Sequence, residues 1–351
     1  MGFLSRARRA LKREAPASDS AIAMGQQARE QHGGSFSSDE SLVKSAPNKG
    51  SNQKGLRIRG IGLAGWKHLS TRLKIVIVGA IISVVALAIG LSVGLTEANK
   101  HSKEKPTAKW KPAIGNTWQI QLNGPLTSIT MAAHNYDIDL FENNEKTIKT
   151  LHYMNAKVIC YFSAGSYEEW RPDAKTFDNS SIGSNMAGWA GERWLDIRSG
   201  SVRSVMSSRI KLAAEKGCDG IDPDNIDGYS HNNTGFQLTK KDAVHYVQFL
   251  AEEAHSQGLA IGLKNGAELA LLVMDFVEWD INESCAFYNE CNTYHPFISA
   301  GRPVFHIEYV DGDNPVNLTT ACNATGTRGF STLLKHRNLD NWFQACPLII
   351  V

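Results

Sequence analysis

The chain has 351 residues, with 37 Lys/Arg against 35 Asp/Glu and a formal charge of +2, but that charge is unevenly spread. Residues 1–74 hold 14 basic against 5 acidic side chains, a local +9, so residues 75–351 sum to −7. An acidic body argues against nucleic acid as a partner, and the 21 uncharged residues from Ile75 to Leu95 argue against a simple cytosolic protein.

Taken in chain order, residues 1–74 mix Ser, Gly, Gln, Asn and Lys with few aromatics and no sustained period. Such a stretch cannot bury enough apolar surface to fold alone and reads as a disordered basic cytosolic tail. Its clusters at 6–13 (RARRALKR) and 57–60 (RIRG) suit either anionic lipid or a solvated tail. Residues 75–95 are apolar on every face and long enough for a hydrocarbon core of roughly 30 Å, and they begin too far into the chain for a cleaved leader. They are expected to be a transmembrane signal anchor. The Lys/Arg count beside this segment is balanced, so orientation rests on other features. All six cysteines and five Asn-x-Ser/Thr sequons (Asn179, Asn232, Asn282, Asn317 and Asn323) follow it, which suits an oxidising side. The expectation is a single-pass type II membrane protein at the cell surface or in the secretory pathway, with a Lys-rich stalk at 96–116 and an extracellular or lumenal domain at 117–351.

Within that domain β-rich runs alternate with helical ones. Strands are expected at 117–122, 136–141, 158–165, 219–225, 259–265, 276–283, 303–309 and 329–335, with the clearest helices at 145–155, 202–217 and 240–258. A further β-like run at 194–199 is assigned to the long loop between strands three and four. Eight alternating units predict an α/β fold of the (β/α)8 TIM-barrel type. An open doubly wound sheet is the runner-up, weakened by the lack of a GxGxxG turn within 117–351.

In such a barrel the strand C-termini form the active-site face, and here they are rich in carboxylates: Asp137, Asp139, Asp222, Asp224, Asp227, Asp280, Glu283 and Glu308. Asp222 and Asp224 are two apart and share one side of a strand. Two carboxylates in different protonation states are what glycoside hydrolysis requires. Trp118, Tyr161, Trp189, Trp194, Tyr229, Trp279 and Tyr309 are candidate sugar platforms, although each alone is as readily core. Within 117–351 no HExxH, CxxC, GxSxG or P-loop spacing is present, so no metal and no cofactor is expected. A divalent cation held by the Asp cluster is the competing reading.

Five blocks, VICYFSAGSYEEWRPD (158–173), KGCDGIDPDNIDGY (216–229), GLAIGLKN (258–265), INESC (281–285) and PVFHIEY (303–309), resemble the endo-α-1,4-polygalactosaminidases of glycoside hydrolase family 114, in the family's order. The anchor also resembles that of fungal members. The resemblance implies a (β/α)8 barrel that cuts α-1,4-linked galactosamine inside a polymer such as galactosaminogalactan. It places the catalytic carboxylates at Asp224 and Glu283, with Asp222 as the alternative Asp. Asp222, Asp227, Tyr161, Lys264, Asn265 and Glu308 become substrate-shell candidates, and Lys264 could simply neutralise Asp222. An acidic body suits a cationic polymer. The other functional readings are an inactive membrane-displayed carbohydrate-binding protein and a glycosidase of different amino-sugar or galactan specificity.

Cys285 and Cys291 bracket a loop directly after Glu283, and Cys322 with Cys346 form the natural second pair, whereas Cys160 and Cys218 are either bonded or simply buried. The Asn282 sequon overlaps the catalytic block and is expected to stay unglycosylated because it would face the barrel mouth. For the mechanism, the short Asp224 suits a nucleophile and the longer Glu283 an acid/base, which predicts retention of configuration.

Overall fold

A computed structural model describes residues 69–100 and 106–347, with the side chains of 88–100 left out. The expected tail therefore lies almost wholly outside the described residues, as does part of the stalk. The helix α1 (Thr71–Lys100) and the body from Pro106 onward are separate compact units. The 30-residue helix α1 contains the expected anchor. Among the described residues, however, no helix is long and apolar enough to cross a membrane. The anchor thus rests on sequence alone.

The body runs β1 (Trp118–Gln121), β2 (Asn135–Asp139), α2 (Glu145–Tyr153) and β3 (Lys157–Ser163), then the short strands β4 (Ser166–Glu168), β5 (Ile182–Asn185) and β6 (Glu192–Leu195). It continues through α3 (Gly200–Lys216), β7 (Gly220–Asp224), α4 (Lys240–Ser256), β8 (Ala260–Lys264), α5 (Ala270–Val273) and β9 (Trp279–Glu283). Last come α6 (His295–Ser299), β10 (Val304–Tyr309), α7 (Leu318–Cys322), β11 (Ser331–Lys335) and β12 (Gln344–Ala345). The main sheet is ordered β1-β2-β3-β7-β8-β9-β10-β11-β12, and only the last strand is antiparallel. All eight expected strands are therefore present and parallel, in chain order.

The sheet curls. Among the described residues no backbone ladder joins β1 to β11, but Trp118 Nε1 donates to the Ser331 carbonyl at 2.8 Å, and Lys335 Nζ to Gln119 Oε1 at 3.0 Å. The segment after β11 joins the same seam, where Leu122 N donates to the Leu339 carbonyl. Inside the curl Trp118, Ile120, Ile159, Trp279, Ile281, Phe305, Ile307 and Leu333 form one apolar cluster. Gly262 makes room for it, since a Cβ there would lie 2.2 Å from Trp279 Nε1. The outer faces pack on the helices through a second, larger cluster that includes Ile138, Val158, Ile210, Leu250 and Ile261.

Local chemistry sets the helix limits. Asn144, Ser199 and Thr239 cap α2, α3 and α4 through their side chains, and Thr239 completes a capping box with Asp242. Gly217 closes α3 in the left-handed conformation, φ 90°. The segment between β3 and α3, expected as loop, instead holds the three-stranded antiparallel sheet β4-β6-β5. All six cysteines are bonded, as Cys160–Cys218, Cys285–Cys291 and Cys322–Cys346, which settles the open first pair. The Cys160–Cys218 bond ties β3 to the entry of β7.

Candidate active site

Strands β7, β8 and β9 each end in a charged residue, Asp224, Lys264 and Glu283, and the register brings the three together. Lys264 is buried, its side chain 1% exposed, and its Nζ lies 3.2 Å from Asp224 Oδ2 and 3.3 Å from Glu283 Oε2. The two carboxyl groups, 16% and 22% exposed, are the solvent-facing members. Since both touch one nitrogen, their nearest oxygens are at most about 6.5 Å apart, so a single ammonium holds the two carboxyl groups at a common site.

Further donors hold each carboxylate. Asp224 Oδ2 accepts from the Tyr161 hydroxyl at 3.0 Å, and Oδ1 from the Asn225 N–H at 2.8 Å. Glu283 accepts from Asn265 Nδ2 at 2.9 Å and from the Tyr309 hydroxyl, while its own N–H donates to Asn265 Oδ1 at 2.8 Å. Burial alone would raise the Glu283 pKa, but Lys264 and the hydrogen bonds from Tyr309 and Asn265 outweigh it and hold the carboxyl below its ordinary value. Burial together with the two neighbouring anions pushes both tyrosine hydroxyls well up, so they remain donors.

Each of the three charged residues is followed by a non-glycine residue in the left-handed region: Asn225 (φ 61°), Asn265 (φ 52°) and Ser284 (φ 66°). Asn tolerates this conformation better than most residues and Ser less well. The turns lift the chain sharply off the strand ends and present backbone and amide groups to the carboxylates. Gly165 serves the same geometry, because a Cβ there would lie 1.7 Å from the Asn225 carbonyl oxygen.

The remaining sequence candidates fall elsewhere. Asp222 lies one layer down, fully buried, with neither oxygen hydrogen-bonded among the described residues. Burial, with repulsion from Asp224, lifts its pKa to about 7 against the pull of Lys264. Asp137 is buried beside it and is also raised. Lys264 therefore ion-pairs with Asp224 and Glu283 and not, as the simplest reading had it, with Asp222. Asp227 sits on the following loop, where it pairs with His231 at 3.4 Å. Glu308 is 0% exposed, which keeps it from solvent; it accepts from the Ala286 N–H at 2.7 Å and stands 2.8 Å from His306 Nε2, bracing the loop after Glu283. Asp139 is paired with Arg171 at 2.6 Å.

Of the aromatics, Trp118 and Trp279 are core. Tyr161 and Tyr309 act through their hydroxyls. Asn282 is buried and accepts from the Cys285 N–H, so it is inaccessible for a different reason than the one expected: it faces the packed side of the sheet. Sequence reasoning gave Tyr309 only a stacking role and passed over the two serines of the Ser-Ala-Gly-Ser turn at 163–166.

Among the described residues the one set able to gather around a metal is Cys285, Cys291 and His306, whose cysteines are bonded to each other. A cavity of about 450 Å³ lined by Val310, Val316, Leu318 and Trp342 lies apart from the carboxylates.

A model of glycoside-hydrolase family GH114 matches residues 99–351. Among solved structures, Aspergillus fumigatus Ega3 in complex with galactosamine is similar at 48% identity, over 68% of this chain and 98% of that chain, with a TM-score of 0.66. The glycoside hydrolase domain of PelA from Pseudomonas aeruginosa is 13% identical over 66% and 99% of the two chains, with a TM-score of 0.49. No curated protein matches the chain.

Proposed function

The chain belongs to glycoside-hydrolase family GH114, and we propose that it cleaves galactosamine-containing polysaccharide at internal linkages, with Asp224 and Glu283 as the catalytic carboxylates. The observation that carries this reading is the pair itself: two partly exposed carboxylates at the strand ends, held within reach of each other by one buried Lys264. The 48% identity to a protein solved with galactosamine supports the substrate class. The −7 charge of residues 75–351 suits a cationic polymer.

The short Asp224 on its rigid strand end suits a nucleophile and the longer Glu283 an acid/base, which makes retention the proposed course. Asp224 attacks the anomeric carbon while Glu283 gives a proton to the departing glycosidic oxygen. A water then enters, gives a proton to Glu283 and bonds through its oxygen to the anomeric carbon as the bond to Asp224 breaks and the sugar leaves. Because Lys264, Tyr309 and Asn265 hold Glu283 ionised at rest, its proton is taken up as the sugar enters and loosens that hold.

The curled sheet is read as a full (β/α)8 barrel whose seam is closed by side chains and the 336–345 segment. Residues 75–95 are read as a type II anchor with residues 96–351 outside or in the lumen, and three disulfides in the body suit that oxidising side. Intact cells should then shield the 1–74 tail from added protease and leave the body exposed; cleavage of the tail instead would place the chain the other way round.

The test of function is product analysis of the purified full chain on galactosaminogalactan, with chitosan and polygalacturonate as controls. Galactosamine oligomers released from the first substrate alone are expected. Cleavage of a control, or release of monomer only, would overturn the reading.

A further inference from the structure

Asp224 is connected to a buried polar chain that the two-carboxylate chemistry does not use. Its Oδ1 accepts from the N–H of Asn225, a residue in the left-handed region. The Asn225 side chain then turns away from the site and donates through Nδ2 to Ser163 Oγ at 2.9 Å. Ser163 Oγ also accepts from the Ser166 N–H at 3.0 Å and lies 2.6 Å from Ser166 Oγ. Ser166 Oγ donates to Glu192 Oε2 at 2.8 Å. Ser163 is 1% exposed, Ser166 0% and Glu192 7%.

The proton positions along this chain follow from the donor inventory. The single Ser166 hydroxyl hydrogen goes to Glu192 Oε2. Ser166 Oγ must then receive the hydrogen of Ser163, which leaves the Ser163 lone pairs for Asn225 Nδ2 and the Ser166 N–H. The three side-chain bonds point the same way, from Asn225 through Ser163 and Ser166 to Glu192. Aligned hydrogen bonds polarise one another and are stronger together than taken singly. The surroundings also hold it still: Arg209 Nη1 donates to the Ser163 carbonyl at 2.7 Å, the Tyr246 hydroxyl donates to the Ala164 carbonyl at 2.7 Å, and Gly165 lies directly against the Asn225 backbone.

We propose that Glu192, acting through Ser166 and Ser163, is the anchor that holds Asn225 in its left-handed turn and so aims the Asp224 carboxylate. This gives the small β4-β6-β5 sheet a purpose: Ser166 begins β4 and Glu192 begins β6, so the insert between β3 and α3 is a brace for the end of β7. Ser163, Ser166, Asn225 and Glu192 are positioning residues, and none of them meets the sugar. The proposal rests on Asp224 being one of the two catalytic carboxylates.

The test is a double-mutant cycle on kcat in the full chain, with Asp224→Asn measured beside it. Ser163→Ala and Asn225→Gly each break the chain at one link, and glycine keeps the left-handed turn available. Each should lower kcat by about 10- to 100-fold, the scale of a misplaced catalytic group, with KM within about threefold. The pair together should cost no more than either alone, since both act through one linkage. If Ser163→Ala fails to fold, Ser166→Ala takes its place, and Ser166→Thr, which keeps the hydroxyl, should recover most of kcat. Additive losses, or loss of stability with kcat unchanged, would overturn the proposal while leaving the catalytic pair intact. Full activity in Asp224→Asn would instead remove the reading on which the proposal stands.

Discussion

The strands β7, β8 and β9 build two unlike regions. On the inner face they begin with Gly220, Ala260 and Trp279 and end with Asp224, Lys264 and Glu283. The first region belongs to the apolar floor and is stabilised by burial and shape. The second gathers two carboxylates within 3.3 Å of one buried ammonium. A strand side chain alternates faces with period two, so the two regions lie only a few residues apart on one ladder. The floor fixes where the strand ends stand, and the mouth uses that rigidity to hold groups that would otherwise repel or solvate.

If the regions are separable, perturbing the floor should cost stability without altering the chemistry. Trp279→Ala removes a fully buried indole and should destabilise the body by about 3–5 kcal/mol, read by denaturant midpoint, with the pH profile of the residual activity unchanged. A shifted profile would show that floor and mouth are one unit.

The converse change spares the fold. Asp224→Asn and Glu283→Gln should each lower the rate at least about 10²-fold, or about 2.7 kcal/mol of barrel-mouth transition-state stabilisation, with thermal midpoints near that of the parent. Near-normal turnover in either variant would sink that residue's assignment.

Asp222 sits between the regions and gives an effect graded by pH. Its pKa is raised by burial to about 7, against 3.8 for the free group. Between those values the folded chain holds a proton that the unfolded chain has lost, so stability falls as pH rises through this window, by up to about 1.4 kcal/mol per pH unit. Asp222→Asn should flatten that slope; an unchanged slope in denaturation series at pH 4 to 7 would mean the proton sits elsewhere, with Asp137 the nearest alternative.

The eight parallel strands were legible because buried parallel strands read as short apolar runs, and every run but 276–283 had Gly, Pro or Asn at its border. The β4-β6-β5 sheet was not legible. Its strands are three or four residues long, too short for a period to show, and their pairing is set by tertiary contacts such as Ser166–Glu192. The site was legible as residue types at strand ends, Asp224, Glu283, Lys264, Asn265 and Tyr161, but not as partners. Lys264 could be seen beside Asp222 in sequence logic; that it bridges Asp224 and Glu283 depends on the stagger of β8 between its neighbours. Glu308 looked like a mouth residue because it lies next to the end of its strand, yet it falls on the outward side of the alternation, as does Asn282.

The most direct test of the central claim, that Asp224 and Glu283 cleave by retention with Asp224 as nucleophile, is azide rescue of Asp224→Gly on an aryl-activated α-galactosamine oligomer. Azide should restore turnover and give the β-glycosyl azide, since it attacks directly from the face that Asp224 vacates. An α-glycosyl azide would make Asp224 the acid/base and Glu283 the nucleophile, and no rescue beside a fully active Glu283→Gln would contradict the pair altogether.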